Sequence, residues 1–314
     1  MTADRQARLA QAWDEAAEGY ETYFVPRFAP WVRAAVDAIT TGSRREVRSA
    51  GAAPEAHASG AAAGGAVVAA PEVHAGGALE ARSADGALLP GGPVLVPCCG
   101  TFPELDLLVE RFPGREVAGI DLSAGMVRLA RERAARVSRQ VTVVQGDAST
   151  LDPRWAGVCA AVVSVFGLQQ LPDPEAAIRS WVGALAPGGR MCVVYWPGQT
   201  EADGPFALMG TVIGERSDYS WEERLVSALD EAEIERDELV SYPMTHPDAA
   251  TYFDAADHAG PMRSLALARG DAYIAELRAR FLAQAPAGEW THHPRARLIV
   301  VRKPLSRAGA PPTS

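Results

Sequence analysis

The sequence predicts an α/β fold, an open and mostly parallel sheet flanked by helices. Two observations carry this. Short apolar runs near 94–97, 116–120, 141–144, 159–165 and 190–196 alternate with amphipathic stretches near 103–112, 123–138 and 174–186. Strands alternating with helices give parallel strands joined by right-handed crossovers. The first run, Val94-Leu95-Val96-Pro97-Cys98-Cys99-Gly100-Thr101-Phe102, ends in small residues, and the second ends in Asp121. A strand, a tight turn, a helix and a strand closed by a carboxylate form the nucleoside-binding half of such a sheet.

Before the first strand, residues 4–18 place Leu9, Ala12, Trp13, Ala16 and Ala17 at helical spacing, and Gly19 reads as the stop. The aromatic-rich segment from Tyr20 to Trp31 holds Pro26 and Pro30, which argue against a continuous helix. A second helix is expected over 31–40. Residues 43–92 are mostly Ala and Gly without a lasting period, and read as a low-complexity, poorly ordered insertion. Ser123 fits an N-cap and Pro187-Gly188-Gly189 a turn into the fifth strand. After Trp196 the alternation breaks. A helix near 220–231, a strand near 234–242, a mostly helical stretch over 247–285 and a last strand at 296–301 follow, with a loose tail from 304. The expected organisation is an N-terminal helical lid at 1–42, the insertion, a ligand-binding domain at 93–303 with a substrate-covering region at about 200–290, and the tail.

The formal net charge of -9 gives no basic face for nucleic acid. No run of roughly eighteen apolar residues suits a membrane span. The charged N-terminus does not resemble a signal peptide. Cys98, Cys99, Cys159 and Cys192 fall in or beside expected strands, which suits reduced thiols and a cytoplasmic location, and their spacing fits no zinc pattern.

Asp121 stands where a carboxylate accepts both hydroxyls of a ribose, although Asp is also a good cap for the helix after it. Gly146-Asp147-Ala148 closes the third strand. The acid can accept from an exocyclic amine and Ala148 can offer its N–H, yet turn chemistry alone also produces Gly-Asp.

With Phe166-Gly167-Leu168-Gln169-Gln170-Leu171-Pro172-Asp173-Pro174 and Leu185-Ala186-Pro187-Gly188-Gly189-Arg190, these motifs stand in a familiar order. The series resembles the class I S-adenosylmethionine-dependent methyltransferases, and among them the small-molecule enzymes similar to the ubiquinone/menaquinone methyltransferases. The resemblance implies a three-layer Rossmann-like fold with a seven-stranded, mostly parallel sheet, an antiparallel last strand, an N-terminal helical lid and a helical insertion before the last strand. It implies S-adenosylmethionine as cofactor, held by Pro97, Cys98, Cys99 and Gly100 at the turn, Asp121 on the ribose, Leu122 and Met126 near the adenine, and Asp147 and Ala148 at its edge. Phe166 would sit where cofactor and acceptor meet, with Tyr20 and Tyr23 closing over the cofactor. Two departures stand out. Members usually carry an acid where this chain has Val96, and glycines where it has Cys98 and Phe102. A bulky Phe102 is compatible with a backbone hugged by ligand only if its side chain points away.

The expected reaction is in-line methyl transfer to an O, N or C atom of a small-molecule acceptor, in specialised or quinone-like metabolism. Alignment and water exclusion would do most of the catalysis. His246 and His258 are candidate bases because both fall in the covering region, while Gln169, Gln170 and Trp196 are candidates for acceptor binding. A peptide or carboxylate acceptor is a second reading. A third is a non-catalytic binding protein on a degenerate methyltransferase fold, motivated by Val96 and Phe102.

Overall fold

A computed structural model describes residues 3–41, 89–137, 140–214 and 218–305. The expected insertion therefore lies outside the described residues up to 88, as does the tail from 306. Strands β1 (Val94–Pro97), β2 (Val117–Asp121), β3 (Val141–Gln145), β4 (Cys159–Val165) and β5 (Leu185–Tyr195) pair in parallel. They alternate with helices α2 (Leu105–Arg111), α3 (Ala124–Ala134) and α4 (Pro174–Ala184). Strand β6 (Glu233–Ser241) and the last strand β9 (Arg295–Arg302) complete a seven-stranded sheet of order β3-β2-β1-β4-β5-β9-β6. β9 runs antiparallel to both of its neighbours. The order reverses between β1 and β4, and ligands in open α/β sheets sit at the carboxyl ends of strands beside such a reversal.

The two faces of the sheet divide as the pleat requires. Val94 and Val96 face a core shared with Phe24, Phe28, Trp31 and Ile39 of the N-terminal helix. Leu95 faces the opposite core, with Trp181 and Ile178 of α4. At the start of β5 the pairing with β4 shifts register between Cys159 and Ala161, so the strand begins at Leu185 and runs through the expected Pro-Gly-Gly turn.

The N-terminal segment departs from the expected pair of helices. It is one helix, α1 (Ala3–Thr41), running through Gly19, Pro26 and Pro30. A proline removes the bond to the carbonyl four residues earlier. Here those carbonyls belong to Thr22 and Pro26, both exposed, so water can serve them. The opposite face buries Phe24, Phe28 and Trp31, and burying a large apolar side chain is worth roughly 2–3 kcal/mol. Two interior prolines, each costing about 3 kcal/mol, are thereby offset. Gly19 does not stop the helix either. A Cβ there would meet His258 Cβ at 3.0 Å, so its bare backbone permits a close crossing.

The stretch from about 200 to 290, expected to cover substrate, contains three elements the sequence pattern did not suggest. Helix α5 (Pro205–Ile213) follows β5, and short strands β7 (Met244–His246) and β8 (Trp290–His292) pair as a separate antiparallel ribbon. Between β5 and β6, the expected helix near 220–231 shortens to α6 (Trp221–Leu225) with a tighter turn after it. Helices α7 (Ala249–Asp257), α8 (Gly260–Arg269) and α9 (Asp271–Leu282) form the expected helical stretch before β9. Among the described residues no helix is long and apolar enough to cross a membrane.

Candidate functional site

At the carboxyl end of β1 the chain makes a tight turn through left-handed conformations at Cys98 (φ 56), Gly100 (φ 52) and Phe102 (φ 65). Such φ values favour glycine and cost a side-chain-bearing residue about 1–2 kcal/mol. Packing holds Phe102 there. Phe102 is fully buried, and its ring fills the space beside Gly119, where a Cβ would lie 2.8 Å from it. The side chain thus points into the core, away from the cleft, which answers the departure at Phe102. Cys99 is buried on the same side, its Sγ 2.8 Å from that Cβ position. A Cβ on Gly100 would meet nothing closer than Met126 Sδ at 4.0 Å, so the turn opens onto free space.

That space is a cleft of about 770 Å³, its open mouth included, within the usual size of a small-molecule site. Its walls include Trp13, Tyr20, Cys98, Gly100, Asp121, Leu122, Met126, Asp147, Ala148, Phe166 and Gln170. Asp121 is fixed from both sides. Gly100 N donates to Oδ2 at 2.8 Å and Ser123 N to Oδ1 at 3.0 Å. Burial pushes its carboxyl up, while the N–H groups of Ser123 and Gly100 pull it down. Asp121 is not the cap of α3. Ser123 is, its Oγ accepting from Met126 N at 3.1 Å, which leaves the remaining lone pairs of Asp121 for a ligand. Asp147 is exposed and accepts from Ser149 N at 2.8 Å. The Ala148 carbonyl accepts from Trp181 Nε1 at 2.8 Å, which pins the third strand's end to α4. Burial, followed by the Asp121 charge, pushes the Cys98 and Cys99 thiols up, so they stay neutral.

A second cavity adjoins the first across Trp13, Tyr20, Phe166 and Gln170. Phe24, Phe28, Gln169, Trp196, Thr200, Phe206, Met209, Tyr252 and Met262 complete much of its wall. No charged side chain lines it among the described residues. Phe166 (φ 59) and Trp196 stack at 4.0 Å between ring centroids and 8° between planes. Gln169 Nε2 donates to Phe166 O at 2.7 Å, and its buried Oε1 has no partner.

Residues 94–189 match a family model described as a methyltransferase domain. The matching segment contains the turn, Asp121, Asp147 and Phe166. Over this segment the chain is similar to methyltransferase domains. A demethylmenaquinone methyltransferase of Thermus thermophilus is 36% identical over 110 residues, covering 35% of this chain and 49% of that protein. A ubiquinone/menaquinone biosynthesis C-methyltransferase of Syntrophotalea carbinolica is 30% identical over 108 residues, 34% of this chain and 45% of that protein. A trans-aconitate 2-methyltransferase of Paracidovorax citrulli is 35% identical over 95 residues, 30% of this chain and 35% of that protein. The chain thus spans half or less of the length of these relatives.

Several residues expected at the methyltransferase site stand elsewhere. Pro97 and Cys99 do not line the cleft; the Pro97 carbonyl accepts from Ser164 Oγ at 3.0 Å. Tyr23 lines neither cavity. Its hydroxyl lies 2.8 Å from His246 Nδ1, His246 Nε2 lies 3.0 Å from His292 Nε2, and His292 Nδ1 lies 2.6 Å from Glu201 Oε2. Glu201 Oε1 in turn accepts from Phe206 N at 2.7 Å, at the start of α5. Burial, then His292 and Arg27, lowers His246 to about 3, so it is neutral at ordinary pH. One arrangement of protons satisfies the whole chain: Tyr23 O–H donates to His246 Nδ1, His246 Nε2–H to His292, and His292 Nδ1–H to Glu201. The chain ties α1 to the ribbon β7–β8 and to α5, behind the cavity wall. His292 links His246 to Glu201 within it. His258 is exposed, with Nδ1 2.7 Å from the Asp254 carbonyl, and lines neither cavity.

Sequence reasoning did not find Asp14. Its Oδ1 accepts from Ser123 Oγ at 2.6 Å and Gly125 N at 2.9 Å, which docks α1 on the start of α3. Gly125 is required there, since a Cβ would lie 2.8 Å from the Asp14 carbonyl oxygen. No local signal joins residues so far apart in the chain. Phe206, Met209 and Tyr252 were also missed, because an apolar residue on a helix reads the same in a core as in a cavity wall.

Proposed function

We propose that this chain transfers a methyl group from S-adenosylmethionine to a small, largely apolar acceptor held in the aromatic chamber beside Phe166. The observation that carries this reading is the shared wall. A cleft with a side-chain-free turn and a buried carboxylate opens beside an uncharged aromatic chamber, and Trp13, Tyr20, Phe166 and Gln170 border both. The residues present fit the cofactor: Gly100 leaves room for close approach, Asp121 keeps lone pairs for the ribose hydroxyls, and Leu122 and Met126 offer apolar contact for a base. When bound, the cofactor supplies an electrophilic sulfonium methyl group.

The protein's own work is orientation and exclusion of water. Phe166 and Trp196 present one rigid stacked surface to a flat acceptor. The carboxamide of Gln169, pinned through Nε2, offers an oxygen to an acceptor hydroxyl or amine. Burial, helped by Glu104 and Asp121, pushes the Tyr20 hydroxyl far above its ordinary range, so it stays protonated and serves as a donor rather than a base. His246 and His258 are off the chamber wall, which favours an acceptor that loses its proton without a protein base. The uncharged chamber favours a small apolar acceptor over a peptide, whose amides would find few partners there.

Calorimetry with S-adenosylhomocysteine tests the reading, followed by a screen of planar phenols and quinol-like compounds for release of S-adenosylhomocysteine. Micromolar binding that Asp121→Ala weakens at least tenfold is expected. No binding at millimolar ligand, with Asp121→Ala behaving as wild type, would sink the proposal.

A further inference from the structure

One wall of the aromatic chamber is held from behind by a buried carboxylate. Glu201 follows Thr200, a wall residue, and its side chain is 5% exposed. Helix α5 has Gly204 at its N-cap, which offers no side chain to the free N–H groups of the first turn. Glu201 serves them instead: Phe206 N donates to Oε1 at 2.7 Å and Ala207 N at 3.3 Å. Gly204 (φ 118) permits this, since a Cβ there would lie 2.6 Å from Oε1. On its other side Oε2 lies 2.6 Å from His292 Nδ1 of β8. A single carboxylate thus joins α5 to the ribbon β7–β8.

Both joined elements support the chamber wall. Helix α5 supplies Phe206 and Met209. The Phe206 ring meets His292 edge-on at 5.2 Å and Trp196 at 5.4 Å. On the ribbon, His246 packs edge-on against Tyr252, a wall residue of α7, at 4.8 Å. Glu201, His246 and His292 line neither cavity themselves. An ionised carboxylate only accepts, so it gives the chain of four residues a direction. Tyr23, His246 and His292 each donate to the neighbour nearer Glu201.

We propose that Glu201 is a positioning residue of the acceptor chamber. Its carboxylate locks α5 to the ribbon, fixes the proton order of Tyr23, His246 and His292, and so sets the wall of Phe206 and Tyr252 against which an acceptor packs. This rests on the methyl-donor reading, which makes the chamber the acceptor's place. Molecules with a displaced wall do not hold an acceptor, and apparent affinity falls with the competent fraction. The cofactor cleft is lined by neither Phe206 nor Tyr252, so its affinity is independent of this lock.

Calorimetry reads the two cavities separately, with S-adenosylhomocysteine first and then 1-naphthol, a planar phenol, on the S-adenosylhomocysteine-bound protein. Glu201→Ala should weaken 1-naphthol about fivefold or more, from the usual worth of a side chain serving a helix start, and leave S-adenosylhomocysteine within about twofold. Unchanged S-adenosylhomocysteine binding also shows the variant folded. Long-range proton–nitrogen NMR of the imidazoles reads the proton order. At pH 8 the wild type should carry the His246 proton on Nε2 and the His292 proton on Nδ1. Glu201→Gln keeps an oxygen for Phe206 N but presents an amide N–H to His292. Both tautomers should then reverse, and 1-naphthol affinity should return to within about twofold of wild type. Equal 1-naphthol affinity in wild type and Glu201→Ala, equal weakening of both ligands, or wild-type tautomers retained in Glu201→Gln would overturn the assignment. Failure of wild type to bind S-adenosylhomocysteine, or 1-naphthol after it, would instead overturn the reading of the paired cavities as donor and acceptor sites.

Discussion

Replacing Glu104 by glutamine should stabilise the ligand-free protein at pH 8 and leave it nearly unchanged at pH 5. Burial raises this carboxyl from 4.5 to about 7, with its own backbone N–H and Arg133 opposing the rise only in part. Between those values the folded chain still holds a proton that the unfolded chain has released. Stability of the wild type therefore falls as pH rises through that window, and the loss is complete above it. At about 1.4 kcal/mol per tenfold change, the penalty approaches roughly 3 kcal/mol at pH 8. Glutamine keeps the shape and stays neutral, so the difference between the proteins should grow across pH 5, 6, 7 and 8. Urea unfolding at those four values measures it. Parallel pH curves without ligand would show that the carboxyl ionises freely in the folded state, and the argument from its burial would fail.

Asp14→Ala should lower stability by about 1–2 kcal/mol, the usual worth of a helix-capping side chain, and weaken S-adenosylhomocysteine, because α1 loses its tie to α3; chemical denaturation and calorimetry read the two effects. Gly260→Ala places a Cβ 2.1 Å from the Trp13 ring, so a cost of about 1–3 kcal/mol from overpacking is expected in a thermal melt, together with a raised KM for the acceptor. His246 has a folded value near 3 against 6.5 unfolded, so its contribution is present above 6.5 and lost as pH falls toward 3. His246→Asn should flatten that part of the acid-unfolding curve. His258→Ala should leave turnover within twofold of wild type in a methyl-transfer assay, since the ring is exposed and bonded to the Asp254 carbonyl.

The central domain was legible because its signals are local. Apolar runs of strand length alternate with amphipathic stretches, and the turn at Cys98 to Gly100, Asp121 and Asp147 each close a strand. Where parallel strands end at one edge, residues that close them are brought together by topology alone. The lid was misread for the opposite reason. Pro26 and Pro30 oppose a helix locally, but the outcome was decided by the burial of Phe24, Phe28 and Trp31 against a sheet far along the chain. The histidines show the same limit. Loop positions made His246 and His258 equivalent, yet one is buried in a chain with His292 and Glu201 and the other faces solvent.

The turn from Val94 to Phe102 marks the division. Its sequence determined the strand, the tight turn and the carboxylate that closes the next strand, because a small-residue stop follows an apolar run and Asp121 ends the next one. Its sequence also recorded the loss of an acid at Val96 and of glycine at Cys98 and Phe102. Only the tertiary structure decided what those losses mean. Packing around Gly119 turns the Phe102 ring into the core and sustains its left-handed backbone. The contact of α1 with α2 and α3 buries Glu104 and Thr101 near Glu21 and Arg133. Charge balance in a buried cluster depends on which distant helices meet there, and local sequence does not carry that.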